Sequence, residues 1–211
     1  MRLGGARRLS ECTRMDGWPV RGVYFFFEEG ERRKESGDGP RVLRVGTHSI
    51  ARGAQTTLWN RLSQHRGTRD GGGNHRASVF RLWIGDALGR RGPDLHVDSW
   101  LDRRASTSSV KESEHPLECA VTAYIGSMPL LWLGIDDRAQ RASVERSAIA
   151  LLSNYGRICP LDTPSAGWLG RFSSSARVRE SGIWNSQLVG SSYDEGFLRV
   201  LEREVWRAGP Q

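Results

Sequence analysis

The first sustained apolar pattern along the chain is Val23-Tyr24-Phe25-Phe26-Phe27, a β-branched and aromatic run of strand length, followed by a second at Arg41-Val42-Leu43-Arg44-Val45. The stretch between them, EEGERRKESGDGP, is charged and glycine-rich, so the two runs predict an antiparallel hairpin joined by a long solvated loop. Thr56 or Thr57 is placed to cap a helix through Leu58–His65, in which Leu58 and Leu62 share one face and Arg61 and His65 the adjacent stripe. Residues 66–74 hold four glycines and read as a loop, with a mixed apolar segment after it from Ala77 to Gly85. Residues 86–115 are polar and rich in Ser and Arg, anchored only by Trp100 and Leu101, and read as an insertion.

Met128–Ile135 is a dense apolar run that predicts a buried strand. Ser143–Asn154 predicts a helix with Val144, Ala148 and Leu151 in one apolar row. The next row, Glu145, Ile149 and Leu152, sets a carboxylate into a largely apolar face. Ser192-Tyr193-Asp194-Glu195 has capping-box spacing and opens a last amphipathic helix through Phe197, Val200, Leu201 and Val205. Residues 1–16 show neither period and read as a basic, disordered extension, leaving 17–211 as one α+β domain.

Charge adds a partner to this picture. Thirty-one Lys and Arg against 24 Asp and Glu give +7, and all but Lys34 and Lys111 of the cations are arginine. A GC-rich genome produces that bias without any function, but guanidinium forks onto phosphate oxygens, so nucleic acid is favoured over a membrane surface. The sequence offers no run of eighteen apolar residues and no apolar segment behind its N-terminal arginines, which argues against a membrane span or a secretory signal. Cys12, Cys119 and Cys159 are far apart and form no C-x-x-C pair, which fits a reducing cytoplasm and small packed side chains rather than a disulfide or zinc framework.

The candidate chemistry lies in an order of residues. Gly22-Val23-Tyr24, a second strand ending Arg44-Val45-Gly46, Arg61 with His65 four residues on, then Glu145 and Asn154, together resemble the GIY-YIG nuclease superfamily. The resemblance implies a small antiparallel sheet flanked by helices, with loop insertions, that cleaves double-stranded DNA with one divalent metal, Mg²⁺ or Mn²⁺. It implies that Glu145 is the metal's protein ligand and that Arg61 holds the scissile phosphate. Tyr24 then positions or deprotonates the water, with His65 as the alternative base or a shuttle. Because a free phenol titrates near 10, nearby positive charge must activate it or it only orients the water. Asn154 is expected to orient a water or phosphate, and His75, behind three glycines, to touch phosphate; a satisfied loop histidine is the competing reading.

Arg44 stands where the family carries its second tyrosine. It can grip phosphate but cannot act as a base, which keeps open a non-catalytic DNA- or RNA-binding module on the same scaffold. A literal Tyr124-Ile125-Gly126 lies about a hundred residues from Gly22 and reads as coincidence. Trp184-Asn185 reads as packing against the last helix or as a base-stacking pair. Cutting both strands requires two sites or two sequential nicks, so a homodimer is one expectation.

Overall fold

The computed structural model describes residues 5–50 and 53–209. The aromatic run lies in a long strand, β2 (Gly22–Arg32), which pairs antiparallel with β3 (Pro40–Thr47). On its other side β2 pairs with β4 (Pro129–Gly134), whose outer edge takes the short β1 (Arg7–Arg8), giving the antiparallel order β1-β4-β2-β3. β2 is therefore central, with a neighbour on each edge and a layer on each face, and this explains why it reads as continuous hydrophobicity instead of alternation. Register sets Tyr24 opposite Gly46 of β3 and opposite Trp132 of β4, and Phe26 opposite Arg44.

One face of the sheet meets α1 (Leu58–Arg66), α2 (Val79–Arg91) and α3 (Ser108–Ser127), burying Tyr24, Phe26, Leu58, Leu62, Phe80 and Leu130 in one cluster. The opposite face meets α4 (Arg138–Leu152) and α6 (Gly196–Ala208) through Val23, Val45, Leu133, Val144, Ile149 and Phe197. Each such side chain contributes roughly 1.5–3 kcal/mol by leaving water. The short α5 (Ala176–Ser181) ends at Gly182, and the chain then runs beside the open edge of β3. The α+β class, the hairpin, the buried strand over 129–134 and the capped helix from Leu58 thus agree with expectation, and the cap is Thr57, whose hydroxyl accepts from the Asn60 amide.

Several expectations are corrected. Residues 1–4 lie outside the described part, but the rest of the expected disordered extension is tied down. Arg7–Arg8 pairs with β4, Leu9 donates its amide to Met128, and Leu9 and Cys12 are fully buried. Two strand residues and one helical turn are too short to print a period. The insertion over 86–115 is mostly helical: α2 enters it and α3 begins at Ser108. α2 buries residues around most of its circumference, including Asp86, which is bonded to Ser173, Ser174 and Arg90, so no amphipathic stripe survives in its sequence. Gly85 is required there, since a β-carbon would fall 2.1 Å from the Trp100 ring. α4 starts at Arg138 with Asp137 as its cap, five residues before the expected start. The capping box at Ser192 does not form; Asp194 accepts from the Gly196 amide instead.

Candidate active site

β3 is the edge strand, and its outward backbone groups are taken up one after another by side chains and loop. The Trp184 amide donates to the Leu43 carbonyl at 2.6 Å. Asn185 then acts as a substitute strand, accepting from the Val45 amide at 3.1 Å and donating to the Val45 carbonyl at 2.9 Å. One step on, the Thr47 amide donates to Oε1 of Glu145 at 3.1 Å. The carboxylate written into the apolar face of α4 is thus delivered to the sheet edge.

On the other face of the hairpin, the Tyr24 hydroxyl lies 2.8 Å from Nε2 of His65, and Nδ1 of His65 lies 2.8 Å from the Ser78 hydroxyl. Ser78 caps α2, accepting from the Arg81 amide at 3.3 Å. Arg81, fully buried, donates to the His65 carbonyl at 2.9 Å and pairs with Glu118. Burial, reinforced by Arg61, Arg44 and Arg81, holds the His65 imidazole well below its ordinary pKa, so the ring is neutral. Gly46 makes room for this arrangement, because a β-carbon there would sit 2.3 Å from the Tyr24 oxygen.

Arg44 is 8% exposed, donates to the Trp184 carbonyl at 3.0 Å and lies 5.3 Å over the Phe80 ring. Its charge reaches Tyr24 and Glu145. The expected phosphate grip is corrected on that ground: Arg44 is a fixed cation beneath the site, too enclosed to serve as an outer phosphate contact. Arg61 is half-buried and donates to Gln64 at 2.9 Å and to the Ala77 carbonyl at 3.4 Å, and its charge also reaches Glu145. Burial raises the Glu145 carboxyl, opposed by Arg44, the Thr47 amide, Arg61 and Arg141. Tyr24, Arg44, Arg61, His65 and Glu145 therefore converge on one corner of the sheet. They do not share one open groove, however: Tyr24 and His65 are fully enclosed, while Arg61 and Glu145 reach the surface.

Among the described residues Glu145 keeps Oε2 without a hydrogen-bond partner, and no group of three or more His, Cys, Asp or Glu is arranged to hold a metal. A single carboxylate with one unengaged oxygen fits a hydrated hard cation such as Mg²⁺, which retains most of its waters, and does not fit zinc.

Two expected site residues lie elsewhere. His75 is fully buried, bonded through Nδ1 to Glu118 at 2.9 Å and stacked 3.8 Å from the Trp100 ring, so it is a core histidine closed off from any phosphate. Asn154 donates to the Leu161 carbonyl at 2.9 Å and accepts the Leu161 amide at 2.8 Å, which engages both ends of its amide in holding a loop. Tyr124-Ile125-Gly126 lies within α3, where the Tyr124 hydroxyl donates to Glu28, in keeping with coincidence. Sequence reasoning missed Ser78, whose only signal was its position ahead of Val79, and missed the pairing of Asn185 with β3, which has no local signature.

The whole chain, residues 1–211, matches a family model described as GIY-YIG domain. No curated protein and no solved structure matches it. No helix among the described residues is long and apolar enough to cross a membrane.

Proposed function

The chain belongs to the GIY-YIG family, and from that premise we propose that it is a divalent-metal-dependent endonuclease hydrolysing DNA phosphodiester bonds. Membership supports nuclease activity in general terms. The finer reading rests on one observation: Glu145, Arg61, Arg44 and the Tyr24–His65 pair, spread over 122 positions of sequence, meet at one end of β3.

In this reading Arg61, half-exposed, takes the scissile phosphate through its donor fork and opposes the charge that builds on the phosphoryl oxygens. Glu145, steadied by the Thr47 amide, is the residue that would hold Mg²⁺ or Mn²⁺. When bound, such an ion supplies positive charge at the phosphoryl group and acidifies water. Tyr24 takes the proton of the attacking water only after releasing its own to solvent, as a phenolate that the Arg44 cation beside it stabilises and that the transfer turns back into a neutral phenol. Because Tyr24 is enclosed, the reading requires DNA binding to open a path to its oxygen. Double-stranded DNA is the proposed substrate, cut by a dimer or by two successive nicks, and the proposed location is the cytoplasm.

A second reading has an observation in its favour. The enclosure of Tyr24, with Arg44 in the second-tyrosine position, suits a DNA- or RNA-binding module that keeps the phosphate grip of Arg61 and has lost water activation. A supercoiled-plasmid assay with Mg²⁺ or Mn²⁺, wild type against Glu145→Ala, separates the two. Nicking that disappears in the variant while gel-shift binding persists supports the enzyme. Binding without nicking by either protein supports the module.

A further inference from the structure

A thiol and an imidazole meet on α3, away from the corner of β3. His115 and Cys119 stand four residues apart on one helical face, and Sγ of Cys119 lies 3.5 Å from Nε2 of His115. The glycine loop before His75 lies over both with bare backbone. A β-carbon on Gly71 would come to 3.5 Å from the sulfur, and one on Gly72 to 3.2 Å from the imidazole ring. Cys119 stays half-buried and His115 exposed. His115 also lines a cavity of about 480 Å³ together with Lys111 and Asp70, two exposed side chains that form no ion pair among the described residues. The other ionised side chains in its wall are matched, Glu114 by Arg76 and Glu118 by Arg81. We infer that Cys119 is a redox-reactive thiol with His115 as its proton acceptor, and that the cavity beside them receives a low-molecular-weight disulfide carrying ammonium and carboxylate groups.

The thiol hydrogen passes from Sγ to Nε2, and the sulfur attacks one sulfur of the incoming disulfide. The bond between the two disulfide sulfurs breaks, and the departing half leaves with its electron pair and takes the proton from His115. Cys119 ends oxidised, as a mixed disulfide, and the departing half ends as a reduced thiol. Asp70 supplies charge for the ammonium group and Lys111 for a carboxylate. A second thiol reverses the exchange, which suits a transient modification in a reducing compartment. The other two cysteines serve as internal controls. Cys12 is fully buried, its thiol donates to the Arg8 carbonyl at 3.4 Å, and burial raises its pKa. Cys159 is exposed and has no hydrogen-bond partner among the described residues. Access alone ranks Cys159 ahead of Cys119, whereas an adjacent imidazole reverses that order.

In the test, the full chain is treated with oxidised glutathione at neutral pH, quenched with acid and alkylated, and the mixed disulfide at each cysteine is read by peptide mass spectrometry. Cys119 is expected to react about fivefold or more faster than Cys159, and Cys12 slowest of the three. His115→Gln is expected to bring Cys119 down to the rate of Cys159 or below, with Cys159 itself unchanged. Lys111→Gln is expected to slow the reaction of Cys119 with oxidised glutathione by about threefold and to leave its reaction with uncharged 2-hydroxyethyl disulfide as it was. Faster reaction at Cys159 than at Cys119 in the wild type overturns the inference, as does a His115→Gln variant that keeps the wild-type ratio of the two. A Lys111→Gln variant that treats both probes alike removes the cavity as the docking place. Should His115→Gln fail to fold, the wild-type ratio decides alone. None of these rates depends on DNA cleavage, so a chain that nicks no plasmid leaves the thiol chemistry standing.

Discussion

The amide of Thr47, the last residue of β3, donates to the carboxylate of Glu145, so a helix on one face of the sheet reaches the strand edge by a single hydrogen bond of 3.1 Å. That bond places an ionisable group where burial penalises its charge. The cost is only partly offset by Arg44, the Thr47 amide, Arg61 and Arg141, and the carboxyl is raised.

A folded-state carboxyl raised above its unfolded value favours the neutral form, so ionised Glu145 subtracts stability at neutral pH and less of it as pH falls. Glu145→Gln keeps an acceptor for Thr47 without the charge. Its melting temperature is expected to exceed wild type by about 2–4 °C at neutral pH, with the gap closing towards pH 5. Plasmid nicking is expected to fall by about 10²-fold or more. A variant less stable than wild type at pH 7 would contradict the electrostatic account.

Arg44 and Arg61 divide charge by depth. Arg44 is enclosed and committed to the Trp184 carbonyl, so Arg44→Met is expected to lower nicking by about 10²-fold while DNA affinity changes little. Arg61→Met is expected to weaken both, and to reduce the salt dependence of binding by about one unit of slope. Gel shifts at several salt concentrations, run beside the nicking assay, distinguish the two. Equal loss of affinity in both variants would return Arg44 to the role of a phosphate contact.

His48 ends the same strand edge, with Nε2 on the Val20 carbonyl at 3.2 Å. Burial pushes it down to about 4, opposed by that hydrogen bond and assisted by Arg141, Arg21 and Arg61. His65 is pushed down for the same first reason. For a histidine kept neutral in the fold, the unfolded chain binds the extra proton, so stability is complete above about pH 6.5 and is lost as pH falls towards the folded value. His48 alone is worth roughly 3 kcal/mol across that window. Urea unfolding at pH 7 and 4.5 is expected to show the drop in wild type and a smaller one in His48→Gln, whose amide can still donate to Val20. An identical acid response in the two proteins would assign the loss to other groups.

The hairpin and a cap at Thr56 or Thr57 were legible because each depends on neighbours close along the chain, whereas the order Tyr24, Arg61, His65, Glu145 was legible only through its resemblance to the GIY-YIG family. The sequence misled wherever a partner lies far along the chain. Asn154 and Asn185 are both amides beside helix or strand ends, and only the fold reveals that Asn185 completes the β3 edge while Asn154 holds Leu161. His75 and His65 are both histidines near arginines, but His75 is closed over by Trp100. α2 was half-hidden because its buried Arg81 and Asp86 look like surface residues when their partners Glu118 and Ser173 are 37 and 87 positions away.

Gly46 shows most directly how this strand edge constrains chemistry. It pairs with Tyr24 across the hairpin, and a β-carbon at that position would lie 2.3 Å from the phenolic oxygen and 2.4 Å from the ring carbon bearing it. The ring is fully buried and packs against Phe26 at 5.7 Å and His65 at 5.6 Å between centroids, so moving it aside disturbs those contacts. Gly46→Ala must therefore displace either the strand or the phenol, and moving the phenol breaks its 2.8 Å contact with His65. Overpacking of this kind costs about 1–3 kcal/mol, so the variant is expected to fold with a lower melting temperature and to lose nicking far beyond what its stability explains. Glycines in open space, such as Gly30, offer the control: an alanine there meets no atom within 4 Å, although its positive φ of 86° carries a modest strain of its own. Thermal melts and nicking rates of Gly46→Ala and Gly30→Ala, compared at a temperature where both are folded, separate the steric effect on Tyr24 from simple destabilisation. Equal nicking by the two variants would remove Tyr24 from the chemistry.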